Sequence, residues 1–212
     1  TLMMLHGTEF KNPDYRKKFK YKCKFRIVPL NFGEYDGERV FDYEEVGIET
    51  KDLSFDDYIY LRVLALLVES LHNGKPFHEF FKYAKNFKIE PATLLKKMYD
   101  NITFSSKKIQ KIINEFIEET KGELWNSEEE LASYYKEDKN YLKLKEGRIG
   151  GNLIYKYKSK NLVEAGYYWI DFFEKQVLNI IKENQINLKG YDNIRAELSE
   201  VGKFCKLKIH GL

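Results

Sequence analysis

Leu2, Met3, Met4 and Leu5 form an uninterrupted apolar run that stops at His6-Gly7. A short continuous apolar run ended by glycine has the pattern of a strand buried on both faces, as in parallel sheets, rather than the alternation of a half-exposed strand. Such a strand needs neighbours on both sides, and nothing of the same kind follows it directly. The expectation is a lone N-terminal strand that belongs to a larger assembly, with this chain cut just before that assembly's last core strand. Position 1 is Thr rather than an initiator Met, in keeping with that expectation.

The next segments have a mixed character. Asn12-Pro13 followed by Asp14, Tyr15 and Arg16 predicts a short helix with proline near its first position. Lys24, Phe25, Arg26 and Ile27 alternate with period two, and Pro29 marks a strand end or edge. Asp36-Gly37 is a turn signal, and Arg39, Val40, Phe41, Asp42 and Tyr43 follow as a second strand, so a small β-hairpin is expected. From residue 51 the pattern becomes helical. Ser54 with Asp57 three residues later resembles a capping box, and the helix it opens should run from 55 to about 72 and stop at Asn73-Gly74.

Residues 61–68 of that helix are apolar nearly all the way round, so Leu61, Leu64 and Leu67 are expected to be scaffold. Further helices are predicted over 76–87, 91–101, 105–121, from 126 onward, over 163–183 and over 192–206. The fold class is thus mainly α, with a lone strand and a hairpin preceding a multi-helix domain. The domain reading is 1–50 and 51–212, the second part having two lobes with a break at residues 147–152.

Composition narrows the function classes. With 43% apolar residues and 16% aromatics the chain is globular material, not a disordered tail. Lys+Arg 36 against Asp+Glu 33 leaves only +3, too little for nucleic acid to be an expected partner on electrostatic grounds. The longest apolar run, at 61–68, falls well short of the ~20 residues of a membrane span. The chain therefore reads as soluble and cytoplasmic. Cys23 and Cys205 are too few and too far apart for a zinc or iron–sulfur motif, and read as two buried thiols.

No complete catalytic constellation is visible. Gly147, Arg148, Gly150 and Gly151 suit either a phosphate cradle or a loop between helices, and loops are the commoner use of such clusters. Glu44, Glu45, Glu49, Asp52, Asp56 and Asp57 form an acidic run with no nearby histidine. Its last two members fall in a first helical turn, where negative charge is favourable anyway. The aromatic stretch from Tyr167 to Phe173 is spaced for a helix core as well as for stacking a flat ligand. Residues 136–145 interleave Lys with acids, as a solvated face does. Among His6, His72, His78 and His210 no spacing suits a metal. His6 differs in ending the apolar run, and strand C-terminal ends are where α/β folds place their ligands.

One comparison gives these pieces an order. Met3-Met4-Leu5-His6-Gly7-Thr8-Glu9 resembles the last barrel strand of cobalamin-binding radical S-adenosylmethionine enzymes, where a Leu/Met run leads into Pro-Gly-Thr-Glu. The resemblance continues through a short helix, a basic-apolar strand like Phe25-Arg26-Ile27-Val28-Pro29, an acidic stretch like Tyr43-Glu44-Glu45-Val46, and an element like Ser54-Phe55-Asp56-Asp57-Tyr58 with Leu61-Arg62. It covers about residues 2–65.

The resemblance implies that residues 1–50 end a radical barrel, the lone strand being the last strand of a truncated α/β barrel, and that the helices close the barrel and shape a substrate pocket. It implies S-adenosylmethionine, a 4Fe-4S cluster and cobalamin as cofactors of the full-length protein. Its partners would be the upstream barrel and cobalamin-binding domain of the same polypeptide and a small-molecule substrate, with no nucleic acid and no membrane. The reaction would be radical-based methyl transfer or carbon-skeleton chemistry. Leu5, His6, Gly7 and Thr8 are the residues it brings near cofactor, and it assigns no catalytic and no metal-binding residue here. Two departures stand out. The CxxxCxxC cluster motif is absent, so this chain alone should be inactive, and His6 replaces the usual Pro. The alternative is a stand-alone helical interaction module without catalysis, for which residues 1–10 would form a disordered tail.

Overall fold

The computed structural model describes residues 2–184 and 190–210, without the side chain of His210. Among these residues it is mainly α-helical with one three-stranded antiparallel sheet. No described helix is long and apolar enough to cross a membrane. The chain divides into two compact units, one of residues 1–62 with 116–153 and one of residues 63–115 with 154–212. All three dividing points fall within helices, the last after a helix's first residue, so the helical stretch that begins after residue 50 contributes to both.

The first unit is built on strands β1 (Leu2–Met3), β2 (Lys22–Tyr35) and β3 (Glu38–Glu49), in the order β1-β3-β2. Asp36 and Gly37 close the hairpin with φ of 50° and 82°, the two left-handed positions of a tight two-residue turn. Pairing runs from Lys22↔Glu49 through Ile27↔Tyr43, then resumes at Phe32↔Phe41. The irregularity between them contains Pro29, which has no N–H to give to a ladder, and Leu30, whose φ is 67°.

Helix α1 (Pro13–Phe19) starts as its sequence predicts, with Asn12 Oδ1 accepting from the backbone N–H groups of Asp14 and Tyr15 and proline in the first turn. Helix α2 (Phe55–Leu67) opens with the reciprocal capping box: Asp57 N–H donates to Ser54 Oγ (3.1 Å) and Ser54 N–H donates to Asp57 Oδ2 (2.9 Å).

The N-terminal strand differs from its reading. Leu2–Met3 is neither lone nor part of a parallel pair, because it pairs antiparallel with β3 through Leu2↔Gly47 and Met3↔Val46. Nor is the apolar run buried on both faces. Met4 is buried at 3% exposure, whereas Met3 is 39% and Leu5 55% exposed. Period-two alternation therefore governs this run even though every residue in it is apolar.

Two clusters fill this unit. Val46 and Ile48 of β3 meet Tyr58 and Ile59 of α2. Ile27 of β2 meets Leu131 and Tyr135 of α6 (Glu128–Lys136) and Tyr141 and Leu144 of α7 (Asp138–Lys145). Helix α7 lies in the stretch read as a solvated face. Its lysines are outward, but Asn140, Tyr141 and Leu144 make a buried stripe at helical spacing that the charges hide in the sequence. The glycine segment after it is a packed loop. A Cβ on Gly150, whose φ is 70°, would fall 2.4 Å from Leu144 Cδ1 and 3.2 Å from Ile27 Cγ2.

The second unit is helical. The end of α2 runs into one turn of π-helix at Val68–His72, followed by α3 (His78–Lys85), α4 (Pro91–Asp100), the start of α5 (Lys107–Gly122), α8 (Leu153–Glu183) and α9 (Tyr191–His210). Of the apolar residues expected as scaffold in α2, Leu67 is fully buried but Leu61 is 48% exposed. The buried face is instead carried by Val63, Leu66 and Leu67.

The aromatic stretch of α8 is core. Phe173 lies between Phe77, Phe80 and Phe81 with ring centroids 5.2, 5.0 and 5.3 Å away. Trp169 is fully buried and donates through Nε1 to Asn161 Oδ1 (3.1 Å), whose Nδ2 donates to Ser70 Oγ in the π-turn (3.1 Å).

Removing the Phe173 ring leaves a cavity among three other rings. Phe173→Ala should cost about 3–5 kcal/mol of stability in chemical denaturation, whereas Val163→Ala, on the exposed face of the same helix, should shift it by less than about 0.5 kcal/mol. Equal effects would remove Phe173 from the centre of this core.

Candidate functional site

The four residues singled out near the N-terminus form a turn that leaves β1. Met4 N–H donates to Glu45 O (2.9 Å), and the Thr8 N–H and Oγ1 both donate to Leu5 O, at 3.3 and 2.6 Å. Gly7 holds φ 81° in the third position, the left-handed site that a type II turn reserves for glycine. The anchor beneath it is Met4, which lies so close to Gly47 that a Cβ there would come within 2.6 Å of Met4 Cε.

His6, Gly7 and Thr8 are thereby left on the surface beside the half-exposed Leu5. Leu5 and His6 reach the rim of a cleft of about 190 Å³, whose lining also includes Lys11, Phe25, Tyr43, Glu44, Glu45 and Glu128. Gly7 and Thr8 are not part of that lining.

The charges of the cleft are tied down. Glu45 accepts from Arg16 in a two-pronged pair, Nη1 to Oε1 and Nη2 to Oε2 at 2.8 Å each, and from Lys11 Nζ at 2.5 Å. Arg16 Nε donates in turn to Phe10 O, which fixes the guanidinium plane. Burial alone would raise the Glu45 carboxyl, but the hydrogen bonds and charges of Arg16 and Lys11 hold it down at about 2. Tyr43 donates to Glu128 across the mouth.

Deeper in the same unit, Arg26 and Glu44 are cross-strand partners joined Nε to Oε1 at 2.5 Å. Arg26 Nη1 also donates to Glu123 Oε1 at 3.0 Å, and Arg62 Nη2 reaches the same oxygen at 3.5 Å. Burial raises the Glu123 carboxyl against the pull of Arg26 and Arg62. The Tyr58 hydroxyl, buried beside this set, has no partner among the described residues, and burial raises its phenol as well.

The chemistry available follows from these partners. Of the acidic run, Glu44 and Glu45 are engaged with arginines and lysine, Glu49 pairs with Lys22 at 2.8 Å, and Asp57 caps a helix, so these four hold the fold together, while Asp52 and Asp56 are exposed. His72 stands edge-on to Phe81, and His78 is exposed at the start of α3. Cys23 and Cys205 are free thiols pushed up by burial to about 11 and about 12, far from the thiolate form that binds iron. No described group of three His, Cys, Asp or Glu side chains is placed to hold a metal. A cluster held by three thiolates does not fit a chain with two cysteines.

Glu123, Arg62 and Trp125 belong to this neighbourhood and were not legible as such. They lie far along the chain from Arg26; the backbone pairing of Phe25 with Trp125, at 2.9 and 2.8 Å, brings in Glu123 and Trp125, and the packing of α2 on β3 brings in Arg62. Compared with known proteins, the chain matches no family model and no curated protein.

Because the Glu45 carboxyl sits below its ordinary value, its contribution to stability is full above about pH 4.5 and is lost as pH falls toward about 2. Glu45→Gln should therefore cost about 1–3 kcal/mol near neutral pH, and the gap from the parent protein should close between pH 4.5 and 2 in acid-unfolding curves. A gap independent of pH would show that the carboxylate is not the stabilising species.

Proposed function

We propose that this chain is the C-terminal portion of a radical S-adenosylmethionine enzyme of the cobalamin-binding type, in which the Leu5–Thr8 turn faces the mouth of the barrel and the helices bound the substrate pocket. The observation that carries the reading is the behaviour of the segments on which the resemblance rests. Residues 2–62 fall in one compact unit, β1 pairing with β3 and α2 packing on Val46 and Ile48 of β3. The segments that resemble the family in order thus lie together in one unit, which supports the reading.

On this reading β1 would meet the barrel through its free edge, since its pairing with β3 is antiparallel and not the parallel pairing expected of a barrel strand. It is the edge of its sheet, with β3 on one side only, so its other side is open to a further strand among the described residues. Next to it Met3 and Leu5 expose apolar surface, and His6, Gly7 and Thr8 present a polar turn. The described residue groups offer contact, shape and exclusion of water, and no site for the cluster. The iron–sulfur and cobalamin chemistry would reside in the barrel and the cobalamin-binding domain.

The test begins with the native polypeptide, captured from its source cell with an antibody against this chain. A mass well above 25.3 kDa is expected, with a three-cysteine motif in the preceding sequence and iron–sulfur absorption after anaerobic purification. A native mass of 25.3 kDa would end the reading. In the native-length protein His6→Pro should leave 5′-deoxyadenosine formation within about threefold, since the family's usual residue suits the position. Complete loss of that product would give His6 a role the reading does not contain.

A further inference from the structure

Strand β3 is longer than the neighbour on its outer side. Its 12 residues pair with β2 along one edge, while β1 covers the other edge only at Val46 and Gly47, with Met4 N–H reaching Glu45 O. From Glu38 to Glu44 that outer edge makes no backbone hydrogen bond among the described residues. Sheets commonly protect an open edge with lysine, proline or a bulge. Residues 38–44 contain neither lysine nor proline, and the hairpin's irregularity lies in β2, between Ile27 and Phe32. Arg39, the one basic residue of the stretch, is engaged with Glu34, Asp138 and Lys136 O.

The two faces of this stretch differ. Arg39, Phe41 and Tyr43 turn toward the helices: the Arg39 guanidinium lies 4.3 Å from the Tyr141 ring centroid, Phe41 lies 5.9 Å from that of Tyr135, and Tyr43 donates to Glu128. Period-two alternation places Glu38, Val40 and Asp42 on the opposite face, and all three are exposed, Val40 at 47%. The partner of Val40 on β2 is Gly33, where a Cβ would fall 2.7 Å from the Tyr35 ring. Val40 and Tyr35 border a shallow cleft of about 350 Å³ together with Leu30 and Asp42. Glu38 and Asp42 have no hydrogen bond or ion pair among the described residues.

An open edge offers backbone donors and acceptors, and its side chains choose the strand that uses them. A second copy of this chain is selected against. An antiparallel self-pairing centred on Val40 sets Glu38 opposite Asp42 on both sides, and like charges directly opposite are destabilising. A strand of opposite charge meets no such cost. We propose that residues 38–44 of β3 receive an extended segment of another polypeptide as an added strand, with basic residues opposite Glu38 and Asp42 and an apolar residue opposite Val40. The pattern recognised is basic-x-apolar-x-basic, main-chain bonds giving affinity and the alternate side chains selectivity. The proposal stands apart from the radical-enzyme reading, because a native mass of 25.3 kDa would remove that reading and leave this edge as it is.

The test titrates a fluorescein-labelled peptide, Thr-Lys-Thr-Val-Thr-Lys-Thr, with the full chain and reads its anisotropy. Saturable binding is expected, roughly tenfold weaker when both peptide lysines are replaced by glutamate. Alternate residues of an added strand face the edge, so N-methylation of one alternate set of peptide amides should abolish binding, while methylation of the other set leaves it within about threefold. The double variant Glu38→Lys with Asp42→Lys, on the exposed face, should reverse the preference toward the glutamate peptide with an unchanged circular dichroism spectrum. Should it fail to fold, Glu38→Gln with Asp42→Gln should bring the two peptides to similar affinity. Equal loss from both methylated sets would mark plain charge attraction and overturn the added strand. Equal affinity of the parent chain for the lysine and glutamate peptides, or a lack of saturable binding, would overturn the proposal, as would dimerisation of the chain through this edge.

Discussion

The first unit depends on where Arg26 sits. One guanidinium reaches Glu44 on the neighbouring strand and Glu123 beyond α5, and Arg62 of α2 closes on the same Glu123 oxygen. Four elements distant in sequence are thus tied at one point: β2, β3, α2 and the segment leading to Trp125. Removing such charges from water costs several kcal/mol per ion, and that cost is offset only where each ion has its counterpart in place. The set balances two arginines against two glutamates, so truncating any one member strands its partner. The pairing also forces the register of the hairpin, because a one-residue slip of β2 on β3 would send Arg26 to the opposite face from Glu44.

The second unit solves a similar problem without charge. The π-turn at Val68–His72 interrupts the regular ladder of the preceding helix, and its Ser70 is fully buried. Asn161 and Trp169, both fully buried on α8, answer it with a chain of two hydrogen bonds. A buried amide placed between a hydroxyl and an indole satisfies groups that would otherwise cost about 1–3 kcal/mol each. The rings around Phe173 supply the apolar mass, and this polar chain fixes which residues of α8 face the turn.

Much of the local architecture was legible in the chain itself. Asn12-Pro13, Ser54 with Asp57, and Asp36-Gly37 act within a few residues, through caps and a turn whose geometry depends only on neighbours, and each stands where its pattern placed it. Helices α5 and α8 were legible in the same way, but the spacing of Trp169 and Phe173 suited a core and a stacking site alike, and only their burial decides for the core. The pairing of Leu2–Met3 did not, because an all-apolar run conceals which of its residues turns inward, and only the β3 edge decides that. Helix α7 was hidden by surface lysines around a short buried stripe. The partners of Arg26 were beyond reach for a simpler reason: Glu123 lies 97 residues away, and no local rule connects them. By itself the sequence determined caps, turns, periodicity and the mainly helical class, because these rest on short-range backbone and side-chain chemistry. Tertiary structure alone decided which carboxylates are paired with arginines and which side chains line a cleft, because burial and charge pairing are properties of residues brought together across the chain.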